Sequence, residues 1–147
     1  MSARTIEHFT DGWSVGLWLF ILAMDTSMAF ALWAAFDLRV AIGAIVGLLA
    51  LSLFASFKTS LKIWFDGEML HVGSAKIEKI YLGKIEILNE KAMALRRTRD
   101  ADPRAFLQLR FWVKPGLLIH LNDERDPHPY WLVSTKHGKE IAELLKN

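Results

Sequence analysis

A chain of 147 residues has room for one domain beyond any membrane segment. It contains no cysteine, which excludes disulfides, thiolate metal sites and thiol catalysis. Its positive charge is a small excess, sixteen Lys and Arg against twelve Asp and Glu over residues 58–147, too dispersed for a nucleic-acid footprint although suited to an anionic membrane face.

Residues 1–12 form a short N-terminal segment in which Arg4 is mixed with Glu7 and Asp11. An apolar block follows from Trp13 to Phe57, and its only charged residues are Asp25, Asp37 and Arg39. Its halves, 13–36 and 40–57, are each close to the roughly 20 residues an α-helix needs to cross a hydrocarbon core about 30 Å thick. The first half is too long for the core of a signal peptide, and a second apolar segment follows at once, so a retained two-helix transmembrane hairpin is expected. Arg4, Lys58 and Lys62 lie on the side of the termini and Arg39 lies in the connecting turn. A multi-pass protein of the plasma membrane with both termini cytoplasmic follows from that bias. Trp13, Trp18, Trp33 and Trp64 are candidate interfacial anchors, and Trp18 and Trp33 could equally pack between helices.

Asp25 tests the transmembrane assignment, because a carboxylate at a helix centre costs about 2.5–3.5 kcal/mol on the insertion scale. Nine Leu, Ile, Val and Phe side chains in the same segment offset that by roughly 3–5 kcal/mol. With the turn centred on Leu38, an antiparallel second helix brings residue 51 to the depth of residue 25, so Ser52 is the candidate hydrogen-bond partner. Transport would need a chain of polar groups, and an interhelical or intersubunit contact is the better reading of a single acid. Gly43 and Gly47 have the spacing of a close-packing motif, and at about 100° per residue they lie about 140–180° from Ser52. That face is free for self-association or for another membrane protein, although glycine is common in membrane helices.

Beyond Phe57 the pattern shortens into strands. Residues 61–65 alternate, Asp66-Gly67 supplies a hairpin turn, and 69–72 return. Further strands are expected at 75–80, 84–88 after a break at Gly83, 106–111, 117–122 and 130–134, with two helical turns over 90–97 and a loop at 99–103. Residues 135–146 read as a helix capped by Ser134 or Thr135, with Ile141, Leu144 and Leu145 as its apolar stripe. The expected fold is therefore a membrane helical hairpin followed by a cytoplasmic α+β domain, 58–147. About seven strands and a closing helix is the order of a pleckstrin-homology-like domain, an analogy at the level of fold.

Three stretches carry a more specific resemblance: Ala101-Asp102-Pro103-Arg104-Ala105-Phe106, Leu109-Arg110-Phe111-Trp112-Val113, and Asp126-Pro127-His128-Pro129-Tyr130-Trp131-Leu132-Val133-Ser134-Thr135. Together they resemble an actinobacterial family of uncharacterised membrane proteins, domain of unknown function 3093. The resemblance covers almost the whole chain and implies a small integral membrane protein with two N-terminal helices. It transfers no catalytic residue.

No site chemistry stands out. Arg96, Arg97, Arg99 and Arg104 surround Asp100 and Asp102, a grouping able to hold phosphate if the acids do not already pair with the arginines, which is the favoured state. With Lys58 and Lys62 they are the candidate contacts for anionic lipid. The five histidines, at 8, 71, 120, 128 and 137, lack metal-ligand spacing, and no phosphate loop or nucleophile elbow occurs. Ser134 with His137 could be imagined as nucleophile and base, but helix capping explains them at less cost. No cofactor and no enzymatic activity are expected. The reading is a membrane-anchored interaction or assembly module, with anionic-lipid recognition, or service as an accessory subunit of a transporter or envelope enzyme, as alternatives.

Overall fold

The computed structural model describes residues 7–146, and the chain divides into two compact units. One is the helical hairpin, residues 12–60; the other combines the residues up to Asp11 with those from Leu61 onward.

In the hairpin, α1 spans Val15–Ala35 and α2 spans Leu38–Thr59. Ser14 caps α1, its side chain accepting from Leu17 N at 3.3 Å, and Asp37 caps α2, accepting from Val40 N at 2.9 Å. Capping by Asp37 shortens the connection to residues 36 and 37, so Arg39 stands in the first turn of α2 rather than in the loop expected for it. At the open end the Trp13 indole donates to Thr59 Oγ1 at 2.8 Å, and Trp13 and Trp18 pack at a ring separation of 5.2 Å. Both helices are long and apolar enough to cross a membrane. Asp25 is the one buried residue of α1 and Ala41 the one buried residue of α2, so the apolar side chains face outward almost all round.

The second unit begins before the hairpin. Residues 7–11, expected to be part of a terminal segment, form strand β1, Glu7–Asp11; Arg4 lies outside the described residues. β1 pairs antiparallel with β2, Leu61–Phe65, from Glu7 opposite Phe65 to Asp11 opposite Leu61. β3, Met69–Val72, and β4, Ala75–Glu78, complete a meander of order β1-β2-β3-β4. The turn between β2 and β3 needs Gly67, at φ 93°, and Asp66, whose Oδ1 accepts from Glu68 N and Met69 N at 3.1 and 2.8 Å. β4 stops at Glu78 instead of Ile80, because residues 79–81 wind into a 3₁₀ turn.

Across that turn, β5 spans Leu82–Leu88 and runs through Gly83, which is no break. The register shifts between Leu82 and Ile85, and a Cβ at position 83 would lie 3.1 Å from the His120 carbonyl oxygen. Glycine serves a bulge and a close backbone approach here. α3, Glu90–Arg97, is capped by Asn89, whose Oδ1 accepts from Ala92 N at 2.9 Å. β6 is only Phe106–Gln108, shorter than the 106–111 expected, since residues 110–113 close a turn, Val113 N donating to Arg110 O at 3.0 Å. β7, Gly116–Leu121, and β8, Tyr130–Ser134, complete a sheet of order β5-β7-β8-β6 in which β6 lies parallel to β8.

α4 spans Gly138–Lys146, three residues later than expected. Thr135 Oγ1 accepts from His137 N at 3.1 Å and closes a turn before the helix, while Ser134 ends β8; neither is the helix cap. Among the described residues, seven strands thus follow the hairpin and an eighth precedes it. The main core joins Leu61, Ile63, Leu70 and Val72 of the first sheet to Leu117, Ile119, Trp131 and Val133 of the second, with Ile141, Ala142 and Leu145 of α4. On the other face of β7 and β8, Leu118, Tyr130 and Leu132 pack with Leu88 and Met93. Burial on both faces accounts for the unbroken apolar runs of these central strands. It also requires Gly116, where a Cβ would overlap the Val133 carbonyl oxygen and approach Met93 Cε to 2.6 Å.

Candidate functional site

Inside the hairpin, the Ser52 hydroxyl donates to Asp25 Oδ2 at 3.2 Å, joining the two helices through a carboxylate that is only 8% exposed. The other charged side chains of this unit, Asp37, Arg39 and Lys58, stand at its two ends. The adjacent Thr26 hydroxyl is turned back onto the Leu22 carbonyl oxygen at 2.7 Å. One acid answered by one hydroxyl links helices, and it supplies no relay of proton carriers. Gly43 and Gly47 are exposed, with nothing of the chain within 4 Å of a Cβ built on either, so their face is open and does not meet α1.

The basic candidates meet different partners. Lys58 lies over the Phe54 ring at 5.9 Å, and Lys62 is exposed on β2 opposite Thr10. Arg96 reaches Glu86 at 4.0 Å. Arg97 turns inward: its Nη2 donates to Ser134 Oγ at 2.6 Å and to the Val113 carbonyl oxygen at 3.0 Å, while its Nε is buried without a hydrogen-bond partner. Burial holds its guanidinium below the usual arginine range. Arg104 grips Asp102 with two bonds, Nε to Oδ1 at 3.3 Å and Nη2 to Oδ2 at 3.2 Å, and the Arg104 guanidinium hydrogen bond is the chief reason the Asp102 carboxyl lies below its ordinary value. Arg99 is exposed. Internal pairing therefore takes up Arg104, and Arg97 serves the fold of the domain.

Several groupings were not visible along the sequence. Asp11, 1% exposed at the end of β1, accepts from Lys136 N at 3.1 Å and ties that strand to the approach to α4. Across the first sheet, His8, Trp64 and His71 stand in register, with His71 stacked on Trp64 at a centroid distance of 3.4 Å and 9° between planes. His71 Nε2 lies 3.7 Å from Asp66 Oδ2, and His128 Nδ1 lies 2.7 Å from Asp126 Oδ1. No group of three potential metal ligands occurs among the described residues. Ser134 is fully buried, and its Oγ accepts from Arg97 and, at 3.1 Å, from Arg110 N, which closes it to any substrate from solvent.

Over residues 7–145 the chain matches the model of a family described as protein of unknown function DUF3093, and it belongs to that family. Neither a curated protein nor a solved structure matches it.

Proposed function

Taking membership in that family as the premise, we propose that the protein is a membrane-anchored interaction or assembly module without catalytic activity, whose hairpin crosses the plasma membrane and whose β unit lies in the cytoplasm. The observation that carries this reading is the pairing of β1 with β2, the strands that flank the hairpin. The apolar hairpin is thus an insertion within a β domain, joined to it by two covalent connections rather than one. Helices of 21 and 22 residues are about 32–33 Å long, matched to a hydrocarbon core of about 30 Å. Lys58 and Lys62 at the open end against Arg39 at the turn favour the open end on the cytoplasmic side. Closure of the two sheets by the C-terminal α4 supports a pleckstrin-homology-like scaffold to which β1 adds an eighth strand, used here as a docking surface, and a docking surface fixed to a membrane raises the effective concentration of any partner on that membrane.

The open Gly43/Gly47 face supports a second reading, an accessory subunit packed against another membrane protein. Photo-crosslinking of the full chain in native membranes, from probes placed on α2 and on the sheet, tests both. A reproducible neighbour crosslinked from the sheet is expected for the module, and from the glycine face for the subunit. Release of the protein from membranes by alkaline carbonate, or the absence of any reproducible neighbour, would overturn the assignment.

A further inference from the structure

The turn between β6 and β7 displays an apolar side chain for which the fold has no use. Phe111 is 74% exposed, its ring edge-on to that of Trp112 at 4.8 Å. The turn beneath it is firmly held. Val113 is fully buried, its N–H closes on Arg110 O at 3.0 Å, its carbonyl oxygen accepts from Arg97, and the Pro115 carbonyl oxygen accepts from Thr135 N at 3.2 Å. Phe111 is therefore presented to solvent by a rigid base, not by a loose loop.

A single exposed apolar residue is ordinary on a protein surface, and Ile80, 77% exposed, is another. Their surroundings differ in sign. Ile80 shares its surface depression with Glu68 and Glu78 as well as Lys79. Phe111 is followed by Lys114 and preceded by Arg110, a half-buried side chain whose Nη1 donates to Leu109 O at 2.9 Å, and the bond from Arg97 to Val113 brings the end of α3 against the same turn, with exposed Arg99 two residues on. Lys114 meets Glu90 at 2.8 Å, but both side chains are more than half exposed, and such surface pairs contribute little and exchange readily for another anion. An aromatic pair at a turn tip ringed by cations matches the boundary between anionic headgroups and acyl chains, where the ring enters apolar surroundings and the cations stay at phosphate level.

We propose that the 110–114 turn is a lipid-insertion loop: Phe111, backed by Trp112, enters the interface of an anionic leaflet, and Arg99 and Lys114 engage its headgroups. The inference rests on the membrane reading of the hairpin, which keeps the loop tethered within reach of lipid. The natural absence of cysteine makes single-label variants clean. The full chain carrying Phe111→Cys is labelled with an environment-sensitive fluorophore and placed in nanodiscs of phosphatidylcholine, with or without phosphatidylglycerol, containing lipids that carry quenchers at shallow and at deep positions. Met24→Cys on exposed α1 and Glu124→Cys on the exposed β7–β8 loop serve as references.

The expected result is blue-shifted, quenched emission at 111 in the anionic discs, reduced severalfold by high salt or by adding Arg99→Gln and Lys114→Gln, with a water-like signal at 124. A water-like, unquenched signal at 111 beside a quenched one at 24 would overturn this inference alone, whereas unquenched signals at both would overturn the membrane reading. Equal quenching in neutral discs would overturn the role given to the cations. Shielding of 111 from aqueous iodide without lipid quenching would place protein there, a second copy or a partner, and would also overturn the proposal.

Discussion

The hairpin and the β unit sort the same kinds of side chain in opposite directions. In α1 the residue kept from the surface is a carboxylate, while Leu19, Phe20, Phe30 and Trp33 stand exposed. In β7 and β8 the apolar side chains Leu117, Leu118, Ile119, Trp131, Leu132 and Val133 are all buried, and the two strands carry no Asp, Glu, Lys or Arg. Water drives the second arrangement, since removing apolar surface from it is the dominant gain of folding. It cannot drive the first. A helix pair that shows apolar side chains outward and joins itself through a hydroxyl and an acid suits a solvent of hydrocarbon, in which association relies on packing and hydrogen bonds.

That contrast can be broken by experiment, most severely in the β unit. Leu132→Ala removes a fully buried side chain from a core strand and should cost about 2–5 kcal/mol, read by chemical denaturation of the purified chain. Leu51→Ala, at an exposed position of α2, should leave the same transition unmoved; comparable losses at both sites would mean that the hairpin is packed as a water-soluble core. Next in size is Asp25→Leu, which removes a central carboxylate and should favour insertion of α1 by about 3 kcal/mol. The forfeited bond to Ser52 offsets only about 0.6 kcal/mol. A glycosylation-mapping insertion assay should show a higher inserted fraction, and a lower one would deny α1 a place at the bilayer centre.

The smallest effect belongs to the surface of the β unit. Backbone donation from Met69 and Glu68, in that order, holds the Asp66 carboxyl below its ordinary range, with help from His71. A carboxylate whose folded pKa is depressed adds stability that is fully present above its unfolded value of about 4 and is lost as pH falls through the folded value. The wild type should therefore exceed Asp66→Asn slightly in melting temperature at neutral pH, and the gap should close in acid as pH falls through the depressed folded value. A gap independent of pH would assign the effect to turn geometry and not to charge.

What could be read along the chain was what local pattern or rigid geometry encodes. β2 and β3 follow from alternation and from Asp66-Gly67, and α1 and α2 from length and apolarity. Asp25 and Ser52 meet near the depth implied by counting antiparallel from Leu38, because two straight helices leave little freedom in register. β1 escaped notice because its only large apolar side chain is Phe9 and its partner strand lies beyond the whole hairpin. The inward turn of Arg97 depends on Ser134, 37 residues away, and the role of Asp11 depends on Lys136, 125 residues away. No local rule reaches either pair. The start of α4 was misplaced for a different reason: Thr135 has the chemistry of a cap but spends it on the turn before the helix.

The pairing of β1 with β2 also bears on how such a chain is made. β1 is synthesised before both helices and before its partner β2, so the edge it offers β2 stays open throughout synthesis of the hairpin. If the helices enter a bilayer, β1 and β2 end in the same compartment only after an even number of crossings. A chain in which one helix failed to insert would hold the two strands on opposite sides of the lipid, with Asp11 separated from Lys136 and the first sheet lacking its outer strand. A completed first sheet is thus compatible with two crossings or with none, and incompatible with insertion of one helix alone.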